Sequence, residues 1–484
     1  MFAAWAREEM QNAELEDRRL NKRLIQVLSD LGERPNASIP VACGGYAEMA
    51  AAYRFFANDK VTWQGILRPH YERSRQRAAA HRVVLLVQDT SELDLSRPQQ
   101  QVRGAGPLDN GPRRGAFLHP LQAFTTDGTP LGAVWTEMWT RAEDDASAAE
   151  KKEWRRQAPI EEKESYRWLE GLRQARAVAQ ELPDTTCICI ADSEADVYEL
   201  FAEPRGERPV QWLIRAGYPD RGAVADDGTV RHLREQALAA AVLFIKEVNV
   251  RSRQAKVSCD KRTRRQPREG RTARVAVRAT TLTLQPPRRP DGALPPVTVN
   301  VVLVTEVDPP AGAEPVEWLL LTTLPIDNAD QVQEVLSYYA TRFLIEIYFR
   351  VLKSGCRVEE RLFEDVDRLL PCLAVYVVVA WRTLLLCRLG RSCPDLDCEA
   401  VFDPAEWRSV WAVVKRTEPP KQRPRLADLL RLVARLGGYI DRPGRKDPPG
   451  PQTLWLGLQR MHDLALAWNT FGPGASKRRG QKDV

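Results

Sequence analysis

Four polar residues stand out between positions 331 and 362: Tyr339, Arg342, Glu346 and Lys353. Steps of three, four and seven put all four on roughly one side of an α-helix. Val335, Leu336, Phe343, Ile347 and Leu352 recur at helical spacing and predict that helix, with Gly355 as its stop. One carboxylate between two cations and a phenol suits the neighbourhood of a metal ion and a phosphodiester. The plain alternative is a solvated helix whose Arg–Glu i,i+4 pair contributes roughly 0.2–0.5 kcal/mol.

Two further carboxylates change that balance. Asp89 closes the run Val83–Val87 after Gln88, and Asp192 closes Thr186–Ala191. Continuous aliphatic and β-branched runs predict strands buried on both faces. In open α/β sheets ligands gather at the carboxyl ends of such strands. A strand-end aspartate is common; two of them followed by a helix glutamate is a more specific pattern. Clustered carboxylates repel one another unless cations join them, and oxygen ligands suit Mg²⁺. Two such ions roughly 3.5–4 Å apart can activate a water or a 3′-hydroxyl and stabilise the leaving oxygen of an in-line displacement.

The elements that would position these groups follow in order. Residues 1–75 read as helices, with Arg18, Arg19, Lys22 and Arg23 clustered beside an apolar face and Arg54 set among aromatics. That suits phosphate contact and groove insertion, with solvated helix faces as the alternative. Runs at 117–124 and 131–139 around Asp127–Gly128 predict a hairpin. Residues 142–182 are helical and charged, and a helix starts near Ser193. The strand Val210–Ile214 delivers Arg215. Residues 216–325 form a β-rich insertion holding the most basic stretch, from Arg251 through Lys261, Arg262, Arg264 and Arg265 to Arg274. We read it as a surface that tracks a nucleic-acid backbone rather than a plain basic loop. From 366 onward the chain is helical again, at 367–390, 404–416, 424–436 and 453–468.

Composition excludes several classes. Nine cysteines contain no CxxC pair and there are five histidines, so zinc has few candidate ligands. Reduced thiols are expected. The opening segment turns charged at once, so no signal peptide is expected. The apolar run Leu370–Trp381 is too short to span a bilayer. These features predict a soluble, intracellular protein.

The spacing Tyr339-x2-Arg342-x3-Glu346-x6-Lys353 resembles the signature of the bacterial DDE insertion-sequence transposases of the YREK group. Asp89 in VVLLVQDTSELDLS looks like the first catalytic aspartate of that family, and Asp192 in ADSEADVYEL looks like the second. Ser193 stands where the family motif Asp-Arg-Glu-Ala-Asp has arginine. The resemblance extends through AYRF at 52–55, EKESYRWL at 162–169, EWLLLT at 317–322 and RLGGYID at 435–441.

The resemblance implies an α/β protein. A helical DNA-binding domain (1–75) would precede a ribonuclease-H-like catalytic core (76–366, with 216–325 as the β-rich insertion), and a helical dimerisation domain (367–484) would follow. It implies cut-and-paste transposition in the bacterial cytoplasm, at the nucleoid: nicking at inverted repeats, a DNA hairpin and its opening, then transfer of 3′-hydroxyl ends to target DNA. Asp89, Asp192 and Glu346 would be catalytic and would hold two Mg²⁺, with Mn²⁺ able to substitute. Tyr339, Arg342 and Lys353 would grip phosphates, Trp318 would stack on a flipped base, and Arg215 would lie near the cleaved strand. Arg19, Arg23 and Arg54 would bind the inverted repeat. Glu194 and Asp196 are expected to support Asp192 without being ligands. The partners would be double-stranded DNA and a second copy of the chain, with Val375, Val379, Trp381, Trp455, Leu458 and Met461 as candidate contacts and ordinary core packing as the alternative for each. The competing readings are a ribonuclease-H-like nuclease without strand transfer and a transposase-derived DNA-binding regulator.

Overall fold

The computed structural model of the chain describes residues 3–97, 99–109, 111–144, 146–206, 209–224, 228–250, 252, 267–289, 292–441 and 448–473. Most of the basic stretch (Arg251, Lys261, Arg262, Arg264 and Arg265 among them) and the tail from 474 lie outside the described residues.

Helices α1 (Ala4–Glu9), α2 (Arg18–Glu33), α3 (Ile39–Cys43), α4 (Tyr46–Phe56) and α5 (Trp63–Ala78) precede strand β1 (Val83–Gln88). Then come β2 (Ser91–Asp94), β3 (Gly106–Pro107) and the hairpin β4 (Arg114–Phe124) and β5 (Pro130–Trp139). Helices α6 (Ala148–Gln157) and α7 (Tyr166–Glu181) lead to β6 (Thr186–Ala191), α8 (Tyr198–Ala202) and β7 (Gln211–Arg215). The β-rich part holds β8 (Gly222–Val224), β9 (Val230–His232), α9 (Leu233–Ala239), β10 (Val242–Val250), β11 (Arg271–Leu284), β12 (Val297–Glu306) and β13 (Glu317–Thr322). Last come α10 (Ala329–Thr341), α11 (Phe343–Arg350), α12 (Val366–Ser392), α13 (Pro404–Lys415), α14 (Leu426–Leu436) and α15 (Pro451–Phe471). The mixed α/β class and the helical C-terminal region expected from the sequence are both observed.

By proximity of the backbone the chain forms two compact units, neither contiguous in sequence. The first comprises residues 1–84, 89–144 and 343–484; the second comprises 85–88 and 145–342.

In the second unit a mixed sheet runs from β1 through β6, β7, β13 and β12 to β11, with β8 and β10 also on β11. β6 and β7 are parallel, as Ile188 opposite Gln211 and Ala191 opposite Ile214 show. β13 runs antiparallel to β7, with Leu320 opposite Arg215. The β-rich insertion is therefore not a separate layer. Its last strand joins the core sheet directly, because Leu319, Leu320 and Leu321 are buried like the strands of the core.

In the first unit the antiparallel hairpin of β4 and β5 packs under α5 and α12. α12 is apolar all round, the mark of a buried helix. It is 27 residues long, and Val375, Tyr376, Val377 and Val378 have no exposed surface. The helix is long and apolar enough to cross a membrane, yet most of its apolar length is buried inside the protein. It runs past Arg382, as the expected helix over 367–390 requires. That guanidinium donates to Val401 O (3.2 Å) and lies over the Trp5 ring, so its charge does not force the chain outward. α13, α14 and α15 close a second apolar core around Trp407, Leu429, Val433 and Leu454.

Two further expectations need correction. The helix predicted over 331–355 is broken: Arg342 N–H donates to Tyr339 O, three residues back, and α11 restarts at Phe343. It then widens into a π turn over Val351–Gly355, where Cys356 N–H donates five residues back to Val351 O (2.8 Å). The C-terminal residues expected to pair two copies face inward instead. Val375, Val379, Trp381, Trp455 and Met461 are buried in their own chain, and Leu458 packs against the same core.

Candidate active site

The two strand-end aspartates are built alike. β1 buries Val84–Val87 completely and ends at the buried Gln88, whose side-chain N–H donates to Trp168 O (3.3 Å) and Cys189 Sγ (3.2 Å). Asp89 follows, half-buried, and Thr90 N–H donates to its Oδ1 at 2.8 Å. Thr90 Oγ1 is 2.8 Å from His119 Nδ1 on β4. β6 likewise buries Cys187–Ala191 and ends at the half-buried Asp192, whose Oδ1 accepts from Glu194 N–H, also at 2.8 Å. In both cases one carboxylate oxygen is fixed by the turn that leaves the strand.

In the second unit, side chains from four separate segments gather around Tyr339. Trp318, the second residue of β13, meets the Tyr339 ring edge-on at 5.7 Å. The Arg342 guanidinium lies 5.8 Å from the same ring. Burial raises the Tyr339 phenol above its ordinary pKa; the cations of Arg342 and Arg215 oppose that, and the Asp192 carboxylate adds to it. Asp192, Arg215, Trp318, Tyr339 and Arg342 thus share one electrostatic neighbourhood. Arg215 is exposed at the end of β7 and Trp318 is half-buried. A carboxylate, two cations, an indole and a phenol at the carboxyl ends of β6 and β7 can meet a phosphodiester and a base together.

In the first unit, Glu346 is exposed on α11 while its neighbours Leu344, Ile345 and Tyr348 are buried. Lys353 rides on the π turn, 3.5 Å from Glu359. Glu359 also accepts the N–H of Asp94 at 3.0 Å, which ties that turn to β2. Short π segments inside helices are frequent at functional sites.

Among the described residues no three His, Cys, Asp or Glu side chains gather as a metal-holding group. Neither unit alone contains the full carboxylate set: Asp89 and Glu346 belong to the first and Asp192 to the second. As a donor set the three still fit a hard divalent cation. All are carboxylates, none is fully buried, and the two aspartates are oriented in advance.

The N-terminal arginines lie on α2 and α4. Arg19 is exposed and pairs at 2.9 Å with Asp17, the cap of its own helix; Arg23 is half-buried one turn further on, and Arg54 is exposed in the last turn of α4.

Sequence reasoning undervalued one residue near Asp192. Asp196, four residues on, is buried and accepts N–H bonds from Gly217 (2.7 Å) and Tyr218 (3.0 Å). The sequence named it as a support for Asp192, at the last position of the family motif Asp-Arg-Glu-Ala-Asp, without showing what holds it. Its partner Arg221 carries no such signal, since an arginine in a loop reads as solvated.

Comparison with known proteins adds the class. Residues 2–61 match the transposase DNA-binding family, and residues 378–468 match the Tn5 transposase dimerisation domain. The solved piggyBac transposase synaptic complex with hairpin DNA is similar over 100% of this chain and 81% of that chain, at 8% identity and a TM-score of 0.37, a likeness too slight to bear on this fold. Both matches are to segments of DNA transposases, one towards each end of a mixed α/β chain. The chain thus carries the DNA-binding and dimerisation segments of Tn5-type transposases, in line with the family expected from the Tyr339–Lys353 signature.

Proposed function

We propose that the chain performs cut-and-paste transposition in the bacterial cytoplasm, using Asp89, Asp192 and Glu346 as the carboxylates that hold two Mg²⁺. Bound there, the ions would supply Lewis-acid activation of the attacking oxygen and neutralisation of the leaving one. The protein's own side chains do the rest. Arg19, Arg23 and Arg54 hold the inverted repeat, and Arg215 and Arg342 neutralise phosphates beside Asp192. Lys353 contributes a compact ammonium where the guanidinium fork does not fit. Trp318, steadied by Tyr339, receives the base displaced as the DNA bends into a hairpin.

Each step is a displacement at phosphorus in which one oxygen bonds as another leaves. Water releases a 3′-hydroxyl, that hydroxyl attacks the opposite strand, water opens the hairpin, and the freed 3′-hydroxyl attacks target DNA. No covalent protein nucleophile is required. The observation that supports this reading most is the gathering of Asp192, Arg215, Trp318 and Arg342 around Tyr339 from four segments.

The test is a strand-transfer assay with the element's own end DNA. Hairpins followed by joined products support the reading, and double-strand breaks without either support a nuclease. Asp89→Ala abolishes Mg²⁺-dependent cleavage and leaves end binding intact; cleavage that survives removes Asp89 from the site.

A further inference from the structure

We propose that Asp196 is a positioning residue that, with Arg221, locks the Asp192 turn to the loop directly after Arg215 and to the strand carrying Trp318. The proposal rests on the assignment of Asp192, Arg215 and Trp318 to the reaction.

The turn Asp192–Asp196 and the loop 216–221 meet at backbone contact. A methyl group on Gly217 would come within 2.7 Å of Ser193 O, the carbonyl directly after Asp192. That close approach is held by the buried Asp196 carboxylate, which accepts both loop N–H groups on one oxygen and the Arg221 guanidinium on the other. Arg221 is itself enclosed by the Phe201, Tyr218 and Tyr198 rings at 5.3, 5.7 and 5.8 Å.

The lock extends further. Arg234 N–H donates to Pro219 O at 3.0 Å, and its guanidinium makes a two-bond fork with Glu317 at 2.8 and 2.7 Å. Glu317 directly precedes Trp318. At the other end, Ala216 N–H, next to Arg215, donates to Leu319 O at 2.8 Å. A buried acid with fully directed partners spans three chain segments whose ends carry three groups of the reaction. Asp196 touches no reacting atom; it fixes where Asp192 stands. Partners of this kind typically shift metal affinity or activity by roughly ten- to a hundred-fold when removed.

The experiment uses the full chain with end DNA and reads metal binding separately from turnover. Terbium ion, sensitised by the protein's aromatic rings, is bound and displaced by Mg²⁺; cleavage is measured against Mg²⁺ concentration. Asp196→Asn removes the charge while keeping the shape. Gly217→Ala keeps every charge but pushes the loop off Ser193 O, and it decides the matter if Asp196→Asn does not fold. Measured well below the melting temperature, which itself falls because a buried ion pair or a tight backbone contact is disturbed, each is expected to raise the Mg²⁺ needed for terbium displacement and for half-maximal cleavage by roughly ten- to a hundred-fold, with end binding as in the wild type. A wild-type metal dependence in the folded variants overturns the lock. So does a loss of cleavage in folded Gly217→Ala that added Mg²⁺ does not restore, since that marks a merely structural contact. Asp192→Asn separates the two levels. If it is inactive and the other variants behave as wild type, only the lock fails; if it cleaves normally, the site assignment fails and the lock with it.

Discussion

A carboxylate whose oxygen already accepts a backbone N–H has lost much of its rotational freedom before any ligand arrives. Asp89 and Asp192 share this device, each at 2.8 Å, and preorganisation of this kind lowers the cost of gathering ligands. Trp318 is less constrained: it is partly exposed, and Tyr339 is its ring partner among the described residues. A ring held in this way has a face to offer a base. Trp318→Ala should remove about 1–3 kcal/mol of stacking, so hairpin yield from pre-nicked ends should fall roughly 5- to 150-fold. End binding, measured by gel shift on the same DNA, should stay as it was, and an equal loss in both assays would return Trp318 to a packing role. These residues were legible because chemistry selects types and spacing. Asp89 and Asp192 close buried runs, and the residues from Tyr339 to Lys353 keep helical steps. Asp196 was legible as a support for Asp192, but its partner Arg221 was not, because an arginine in a loop leaves no periodic trace.

Elements were legible wherever one face or one run is buried, and misread where tertiary packing overrides local pattern. The strands 83–88 and 186–191 and the four C-terminal helices stand close to where periodicity puts them. The π turn at Val351–Gly355 does not, because no residue type demands it. Packing accounts for part of it: a Cβ on Gly355 would already lie 3.1 Å from the Trp455 ring. The first unit holds a second feature that no sequence pattern announces, a buried polar knot joining α1, α5, β5 and α12. His70, with no exposed surface, has Nδ1 2.5 Å from Glu9 and accepts Ala133 N–H (3.0 Å) on Nε2. Arg77 bonds both oxygens of Glu9 and covers the Trp381 ring at 4.2 Å. Because Nε2 is an acceptor, the ring proton must sit on Nδ1 and the imidazole is neutral. Burial holds the His70 pKa below its ordinary value, against the pull of Glu9. The unfolded chain takes up this proton near pH ~6.5 and the folded chain only at lower pH, so His70 subtracts stability as pH falls below about 6.5. Glutamine can donate to Glu9 and accept from Ala133 without titrating. The melting temperature of His70→Gln should therefore fall less than that of the wild type between about pH 7 and about pH 5. Parallel melting curves across that range would mean that His70 does not control this response.

For the whole molecule, the question is which apolar surface is left over once the chain has folded. The family resemblance offered Val379, Trp381 and Met461 as contacts to a second copy, with core packing as the alternative, and these residues are consumed by the chain's own cores. Sequence pattern reports that a side chain is to be buried and is silent on whether its own chain or a partner does it. Within the matched dimerisation segment, Val413 on α13 and Leu466 on α15 remain 48% and 47% exposed, and α13 and α15 pack against each other. A pairing surface must be built from groups of this second kind, since burial of apolar area drives association. The double variant Val413→Asp, Leu466→Asp should keep the wild-type melting temperature, because each charge stays in water. It should also lose the complex of two chains and two DNA ends, seen as a shift to the single-end species in sedimentation or on a native gel. Val379→Asp should behave in the opposite way, unfolding the chain outright, because an unpaired carboxylate in that core costs several kcal/mol, roughly 3 or more. If the double variant pairs normally while Val379→Asp unfolds, the partner copy docks on some other face, and α13 and α15 serve only to close the core beneath them.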